Sequence, residues 1–328
     1  MIAAVERFVS TGPPAAGQVQ PGSGDGHAQA LEAVLKTLHE AYSPAIFNGA
    51  QLMSQLAQSR LLPTGCPSID SELLRGGFRE GQLAEVCGES ASGKTQLCLS
   101  CAAHTALRGE GVVFVDTSNA FSAGRLQTLL QAVSQAQVAV EDALNFVTVH
   151  QAYDIHAVLG VVDSLFTVQA QPPAAAAPKL VIIDSLSAVI GPVLGGGGGQ
   201  HSQGHALLAA AGTSLKALAA RLGAVVIITN HMVGGGEGGR GEKRPAMGES
   251  WKNQPHIRLQ LSAAEGAGSA AGPQQGSSGG RAGAAQQHLA TLRASTYCAA
   301  GGQAPFWLAP AGLVAAPHSG EQVTTLVH

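Results

Sequence analysis

Aromatic residues are scarce in this chain, at 4% of 328 residues, and charged residues make up only 12%. With a formal net charge of −3, a surface coated in positive charge is excluded. Any contact with nucleic acid must then be local, made by a loop or stripe rather than by a global field. Long apolar runs are missing as well, and none approaches the length of a membrane span. Glu6 and Arg7 interrupt the N-terminus before a signal-peptide apolar region can form, so a soluble intracellular protein is expected. The cysteines number five, an odd count with no disulfide framework. Cys98 and Cys101 make a C-x-x-C, but inside a predicted helix and without a second pair. Packed thiols in a reducing compartment are the better reading there than a metal site.

Hydrophobic residues, at 45%, suffice for a core, whereas 43 glycines require that part of the chain be flexible padding. Residues 1–27 are rich in Gly, Pro, Ala and Gln and read as disordered. Residues 28–60 form a helical segment and linker: Leu31, Val34, Leu35 and Leu38 fall at helical spacing, Pro44 closes that helix, and a second short helix spans about Ala50 to Arg60. From residue 61 to 328 short apolar runs alternate with longer helical segments. The runs are Leu83–Cys87, Val112–Asp116, Phe146–Val149, Leu180–Asp184 and Ala224–Thr229. The helices are Thr95–Leu107, Gly124–Ala132 and Ala206–Leu222. That rhythm predicts an α/β core, a mostly parallel central sheet flanked by helices. Flexible insertions are expected near 171–178, 195–205, 232–247 and 263–285, where Gly, Ala, Pro, Ser and Gln dominate.

The sequence Gly88-Glu89-Ser90-Ala91-Ser92-Gly93-Lys94-Thr95 matches G-x-x-x-x-G-K-[ST] in full, after a predicted strand and before a predicted helix. Such a P-loop wraps backbone N–H groups around phosphates, so glycines stand where a side chain would block the approach. Lys94 neutralises the β- and γ-phosphates of ATP, the Thr95 hydroxyl holds Mg²⁺, and the helix adds its N-terminal dipole. Leu180-Val181-Ile182-Ile183-Asp184 is an apolar strand ending in an acid, placed to hold Mg²⁺ through water.

Three further features carry a resemblance. Thr64-Gly65-Cys66-Pro67-Ser68-Ile69-Asp70, with Leu73-Leu74 and Gly76-Gly77, is similar to the lead-in of RecA-like recombinases. Gly81-Gln82-Leu83-Ala84-Glu85-Val86-Cys87-Gly88 is similar to their entry strand. Thr229-Asn230-His231 ends a strand where that family carries its phosphate-sensing tip, so the resemblance assigns that role to Asn230 and His231. Over about residues 45–262 the chain most resembles the D-type branch of the eukaryotic recombinase paralogues. Val149-His150-Gln151-Ala152-Tyr153-Asp154, Asp184-Ser185 and Ser250-Trp251 are the telling pieces.

The resemblance implies a RecA-like P-loop ATPase core preceded by a short N-terminal helical segment. It implies a nuclear protein of homologous recombination and double-strand break repair. Its partners would be sister paralogues in a hetero-oligomer and, through that complex, single-stranded DNA. It assigns DNA contact to the loop Met232–Met247, through Arg240, Lys243 and Arg244. That loop lacks aromatics for base stacking, so at most three phosphate contacts give a salt slope of only about −2. Phe47-Asn48-Gly49-Ala50 resembles the F-x-x-A tag with which one recombinase subunit docks on the next, through Phe47 and Ala50.

Two departures stand out. Residues 1–46 hold one clear helix where the family carries a compact helical domain. Ser118 stands where the resemblance places a glutamate that activates the attacking water, and a lost general base costs about 10²–10⁴-fold. Asp116 or Glu85 could substitute for it, and capping of the next helix is the plain structural role for Ser118. An assembly subunit that binds ATP at an interface is therefore favoured over a filament-forming, strand-exchanging ATPase, and over a ring helicase on the same core.

Overall fold

The apolar runs at 112–116, 180–184 and 225–228 become neighbouring strands of one parallel sheet. In the computed structural model the described residues are 47–134, 137–168, 177–195, 199–235, 241–263, 286–309 and 311–315. The chain divides into two compact units, Met1–Gln58 and Ser59–His328. In the first, the described part is one helix, α1 (Gly49–Gln58), with no buried residue. A capping box starts it: the Gln51 N–H donates to Asn48 Oδ1, and the Asn48 N–H to Gln51 Oε1, each at 2.9 Å. The helix expected at 28–42 and the segment 1–27 lie outside the described residues.

The second unit opens with a two-stranded ribbon, β1 (Leu61–Leu62) and β2 (Phe78–Arg79), around a π-turn at Ile69–Leu73. Next come β3 (Leu83–Gly88), α2 (Lys94–Ala106), β4 (Val112–Asp116), α3 (Ala123–Val133), α4 (Gln137–Asn145) and β5 (Val147–Gln151). They are followed by α5 (Ile155–Val168), β6 (Leu180–Asp184), α6 (Leu186–Leu194), α7 (Gly199–Leu222) and β7 (Val225–Gly235). The chain continues through β8 (Gly241–Pro245), α8 (Gly248–Trp251), β9 (Ile257–Ala263), β10 (Gln286–Ser295), β11 (Gln303–Ala309) and β12 (Gly312–Ala315). The sheet order is β12-β11-β10-β9-β3-β7-β6-β4-β5, with β8 paired to β7. From β9 to β5 every pairing is parallel, and β9 to β12 form an antiparallel meander.

Alternation along the central strands divides their side chains between two cores. Val112, Phe114, Leu180, Ile182, Val225 and Ile227 face the first, with α2, α3 and α4. Val113, Val115, Val181, Ile183, Val226 and Ile228 face the second, with α5, α6 and α7. Strands covered on both faces have to be apolar throughout, which is why β4, β6 and the start of β7 read as continuous runs. The expected mostly parallel sheet is present with helices on both faces.

Several elements differ from the reading of the sequence. The meander β9–β12 was not foreseen, although β9 alternates apolar residues with Arg258, Gln260 and Ser262 as a strand with one buried face does. Within 232–247, Met232–Gly235 extends β7 and Gly241–Pro245 pairs back on it, so these parts are a β-hairpin rather than an open loop. Residues 199–205, inside one expected insertion, belong to α7. Residues 171–176, 196–198, 236–240 and 264–285 of the expected insertions lie outside the described residues. Cys98 and Cys101 are buried in α2 as free thiols, both pushed well above the ordinary thiol range by desolvation. Among the described residues no helix is long and apolar enough to cross a membrane.

Candidate nucleotide site

The parallel sheet brings the ends of β3, β7, β6 and β4 side by side, and the phosphate loop leaves the first of them. Gly88 ends β3, and a Cβ there would come 2.3 Å from Ser92 Oγ and 2.5 Å from the Leu261 carbonyl oxygen. Only glycine keeps this cradle open. Lys94 opens α2 and is 7% exposed. Its Nζ donates to the carbonyls of Gly88 at 2.9 Å and Glu89 at 2.6 Å, so the loop curls around the ammonium. Burial lowers the Lys94 pKa, and the negative charge of Asp184 opposes that shift. Ser92 Oγ is buried without a hydrogen-bond partner.

Asp184 ends β6 and is 4% exposed. One of its oxygens accepts from the Thr95 hydroxyl at 2.6 Å and the other from the Thr229 hydroxyl at 2.5 Å. The expected Thr95–Asp184 pair is thus assembled, and Thr229 joins it. Thr229 escaped the sequence reading as an individual, although it begins the Thr229-Asn230-His231 tip.

His231 lies opposite Gly88 in the β3–β7 register. Its Nε2 is 3.1 Å from Ser185 Oγ, and its N–H donates to Ser187 Oγ at 3.0 Å. Desolvation, then the Lys94 charge, lowers the His231 pKa, with Asp184 acting against both. The imidazole thus lies beside the loop, opposite Gly88 in register. Asn230 turns the other way: it is fully buried, and its Nδ2 donates to Glu85 Oε1 at 2.7 Å.

Ser118 is exposed and follows the tip of β4. It does not cap the next helix. That cap is Ser122, whose Oγ accepts from the Arg125 N–H at 3.2 Å. The substitute carboxylates are both engaged. Asp116 accepts from the N–H groups of Ser118, Ala120 and Phe121, each at 3.1 Å. Glu85 is fully buried against Asn230 and Arg258. Both carboxylates considered for the base are therefore already held by hydrogen bonds within the fold.

The residues expected to reach DNA lie apart in role. Lys243 Nζ sits 2.7 Å from Glu89 Oε2 of the P-loop, with each side chain about half exposed. Arg244 is exposed on β8, and Arg240 lies outside the described residues. Phe47 and Ala50 are both exposed, Ala50 within α1.

The residues present fit a magnesium–nucleoside triphosphate. The cradle is one that a Cβ would fill, it holds a buried cation and an orphaned hydroxyl, and an all-oxygen pair of Thr95 and Asp184 lies beside it, the donor type that magnesium takes. The sequence model of the Rad51 family matches residues 54–272. The chain belongs to the Rad51 family. The mouse (Mus musculus) protein named DNA repair protein RAD51 homolog 4 is 38% identical over 244 residues, 73% of this chain and 72% of that protein. Its bovine (Bos taurus) counterpart is 36% identical over 74% of this chain and 73% of its own length. The crystal structure of the RadB recombinase superimposes with a TM-score of 0.59, covering 78% of this chain and all of that one at 24% identity. That likeness shows the RecA-like fold.

Proposed function

We propose that this Rad51-family chain binds Mg-ATP and serves in homologous recombination and double-strand break repair as a subunit of a heteromeric paralogue complex, in the nucleus, assisting the main recombinase on single-stranded DNA. The observation that carries this reading is the contrast within one site. Lys94, Thr95, Asp184 and Thr229 are assembled to hold a nucleotide and its metal, while the position of the water-activating base is an exposed serine.

In this reading the residues of Gly88–Thr95 hold the phosphates, with Lys94 matching their charge. Thr95 and Asp184 hold the Mg²⁺, which supplies charge neutralisation across the phosphate oxygens when bound. Thr229 fixes the Asp184 carboxylate from the side opposite Thr95, and His231 reads the terminal phosphate. ATP then acts chiefly as a ligand that organises an interface with a sister paralogue. The names of the mouse and bovine relatives support the repair role.

Titration with a fluorescent ATP analogue tests the site. Lys94→Ala should abolish binding and leave the chain folded, and unchanged affinity in that variant overturns the P-loop assignment. Co-purification with sister paralogues, with and without ATP, tests the assembly role. Brisk DNA-stimulated hydrolysis by the purified chain alone would instead establish an independent strand-exchange ATPase.

A further inference from the structure

A buried ion pair crosses the sheet next to the nucleotide site without belonging to it. Glu85 of β3 stands opposite Arg258 of β9 in the parallel register. The Glu85 side chain is 0% exposed and that of Arg258 11%, and the Arg258 Nε donates to Glu85 Oε2. The other Glu85 oxygen, Oε1, accepts from Asn230 on β7, the strand on the opposite side of β3. Three adjacent strands are thereby joined through one carboxylate.

This trio is a poor way to stabilise a core. Buried ion pairs are often replaceable by apolar residues without loss, and here Asn230 Oδ1 is left with no partner at all. What the trio does achieve is connection. Arg258 Nη2 also donates to the Lys252 carbonyl at 3.2 Å. Lys252 closes α8, the short helix that follows the β7–β8 hairpin. Trp251 and Met247, on and before that helix, are 1% exposed, so the end of α8 is a fixed point in the second core. At the other end of the trio, Asn230 directly precedes His231, which is tied to Ser185 and Ser187 beside Asp184.

We propose that Arg258, Glu85 and Asn230 are positioning residues that link the end of α8 to the β7 tip, so that a nucleotide met by His231 is felt at residues 249–254. The inference rests on the reading of the P-loop as a nucleotide site. The link is a continuous series of hydrogen bonds, from the exposed Lys252 carbonyl through Arg258 and the part-buried Arg258–Glu85 pair to the buried Glu85–Asn230 bond. Geometry alone does not establish coupling, and a variant that cuts one bond while keeping the charges has to be compared with the wild type.

Arg258→Lys is that variant, because a lysine retains the charge opposite Glu85 and has no second nitrogen to reach the Lys252 carbonyl. Hydrogen exchange of the full chain is measured with and without a non-hydrolysable ATP analogue and Mg²⁺. In the wild type the analogue should change exchange both at the β7 tip and at residues 249–254, where the Lys252 and Gln254 N–H groups donate to Glu249 and Trp251. In Arg258→Lys, nucleotide affinity and the change at the β7 tip should persist, and the change at 249–254 should be lost. The double variant Glu85→Gln/Arg258→Gln, shown to be folded by its melting curve, should lose it as well. A full change at 249–254 in either variant overturns the proposal, as does a wild type that binds the analogue with no change there. A wild type that binds no nucleotide overturns the P-loop reading itself, a failure visible in the titration before any exchange is compared.

Discussion

Asp184→Asn separates the metal from the phosphates. In the wild type the carboxylate accepts two hydroxyl hydrogen bonds, from Thr95 and Thr229, at 2.6 and 2.5 Å. Hydrogen bonds to a charged acceptor contribute about 1.5–3 kcal/mol each and neutral ones about 0.5–1.5 kcal/mol. Asparagine keeps one carbonyl oxygen and puts an amide donor where the second oxygen was. One threonine hydroxyl keeps its acceptor and the other can rotate to accept from the amide. Two charged bonds become two neutral ones, so the fold should lose about 2–3 kcal/mol and remain folded. Magnesium binding weakens too, since altering a group that holds a metal through an intervening ligand costs about 10–100-fold in affinity. In free energy that is about 1.4–2.7 kcal/mol. Titration with a fluorescent ATP analogue, once with Mg²⁺ and once with EDTA, reads the two contributions apart. The variant should match the wild type in EDTA and fall behind it by that factor with Mg²⁺. An unchanged magnesium dependence would refute the assignment of Asp184 to the metal.

Turnover should be slow: ATP hydrolysis by the chain, alone and with its partners, is expected at least ~10²-fold below an active recombinase because no free base stands at Ser118. Steady-state phosphate release measures it, and a rate equal to that of an active recombinase would remove Ser118 from the argument. Acid should destabilise the fold. Burial holds His231, His256 and His288 below the ordinary histidine value, so the unfolded chain takes up protons first as pH falls. Their stability is fully present above about pH 6.5 and is lost below it, which the urea midpoint at pH 7.5 and 5.5 will register. His288→Phe, at a fully buried ring with neither nitrogen bonded, should flatten that dependence, and an unaltered slope would contradict it. For DNA, Arg244→Gln in the assembled complex should flatten the log–log salt slope by about 0.7, one single-strand phosphate contact. Lys243→Gln should leave it unchanged while Glu89 holds that ammonium, and equal effects would show that Lys243 abandons the P-loop for phosphate.

The legible parts of this chain were those where one local rule decides. Val112–Asp116 and Leu180–Asp184 came out of the sequence with the bounds the structure gives them, because strands buried on both faces have to be apolar at every position. Gly88–Thr95 could be read because a phosphate cradle constrains spacing and residue type together. The β9–β12 meander was not read: β9 joins β3, a strand far away in sequence, and no residue in Ile257–Ala263 announces that Arg258 will lie opposite Glu85. Asn230 and His231 show the same limit at the level of single side chains. They are neighbours in one motif, yet strand alternation sends one toward Glu85 and the other toward Ser185. A motif therefore gave the address of the tip without dividing its labour. Lys243 is the sharpest case. The resemblance assigned it to DNA, and only pairing of β8 with β7 brings it over Glu89. A charge in a glycine-rich loop has no partner until the loop folds back, so its sequence neighbours say little about the field it will meet. The same reasoning bears on Ser118. Its loss of a carboxylate was visible at once, but whether another acid takes over depended on where Asp116 and Glu85 point, and both point into hydrogen bonds within the fold. Replacing Ser118 by glutamate consequently adds a carboxylate beside the tip of β4 without withdrawing one from the sheet.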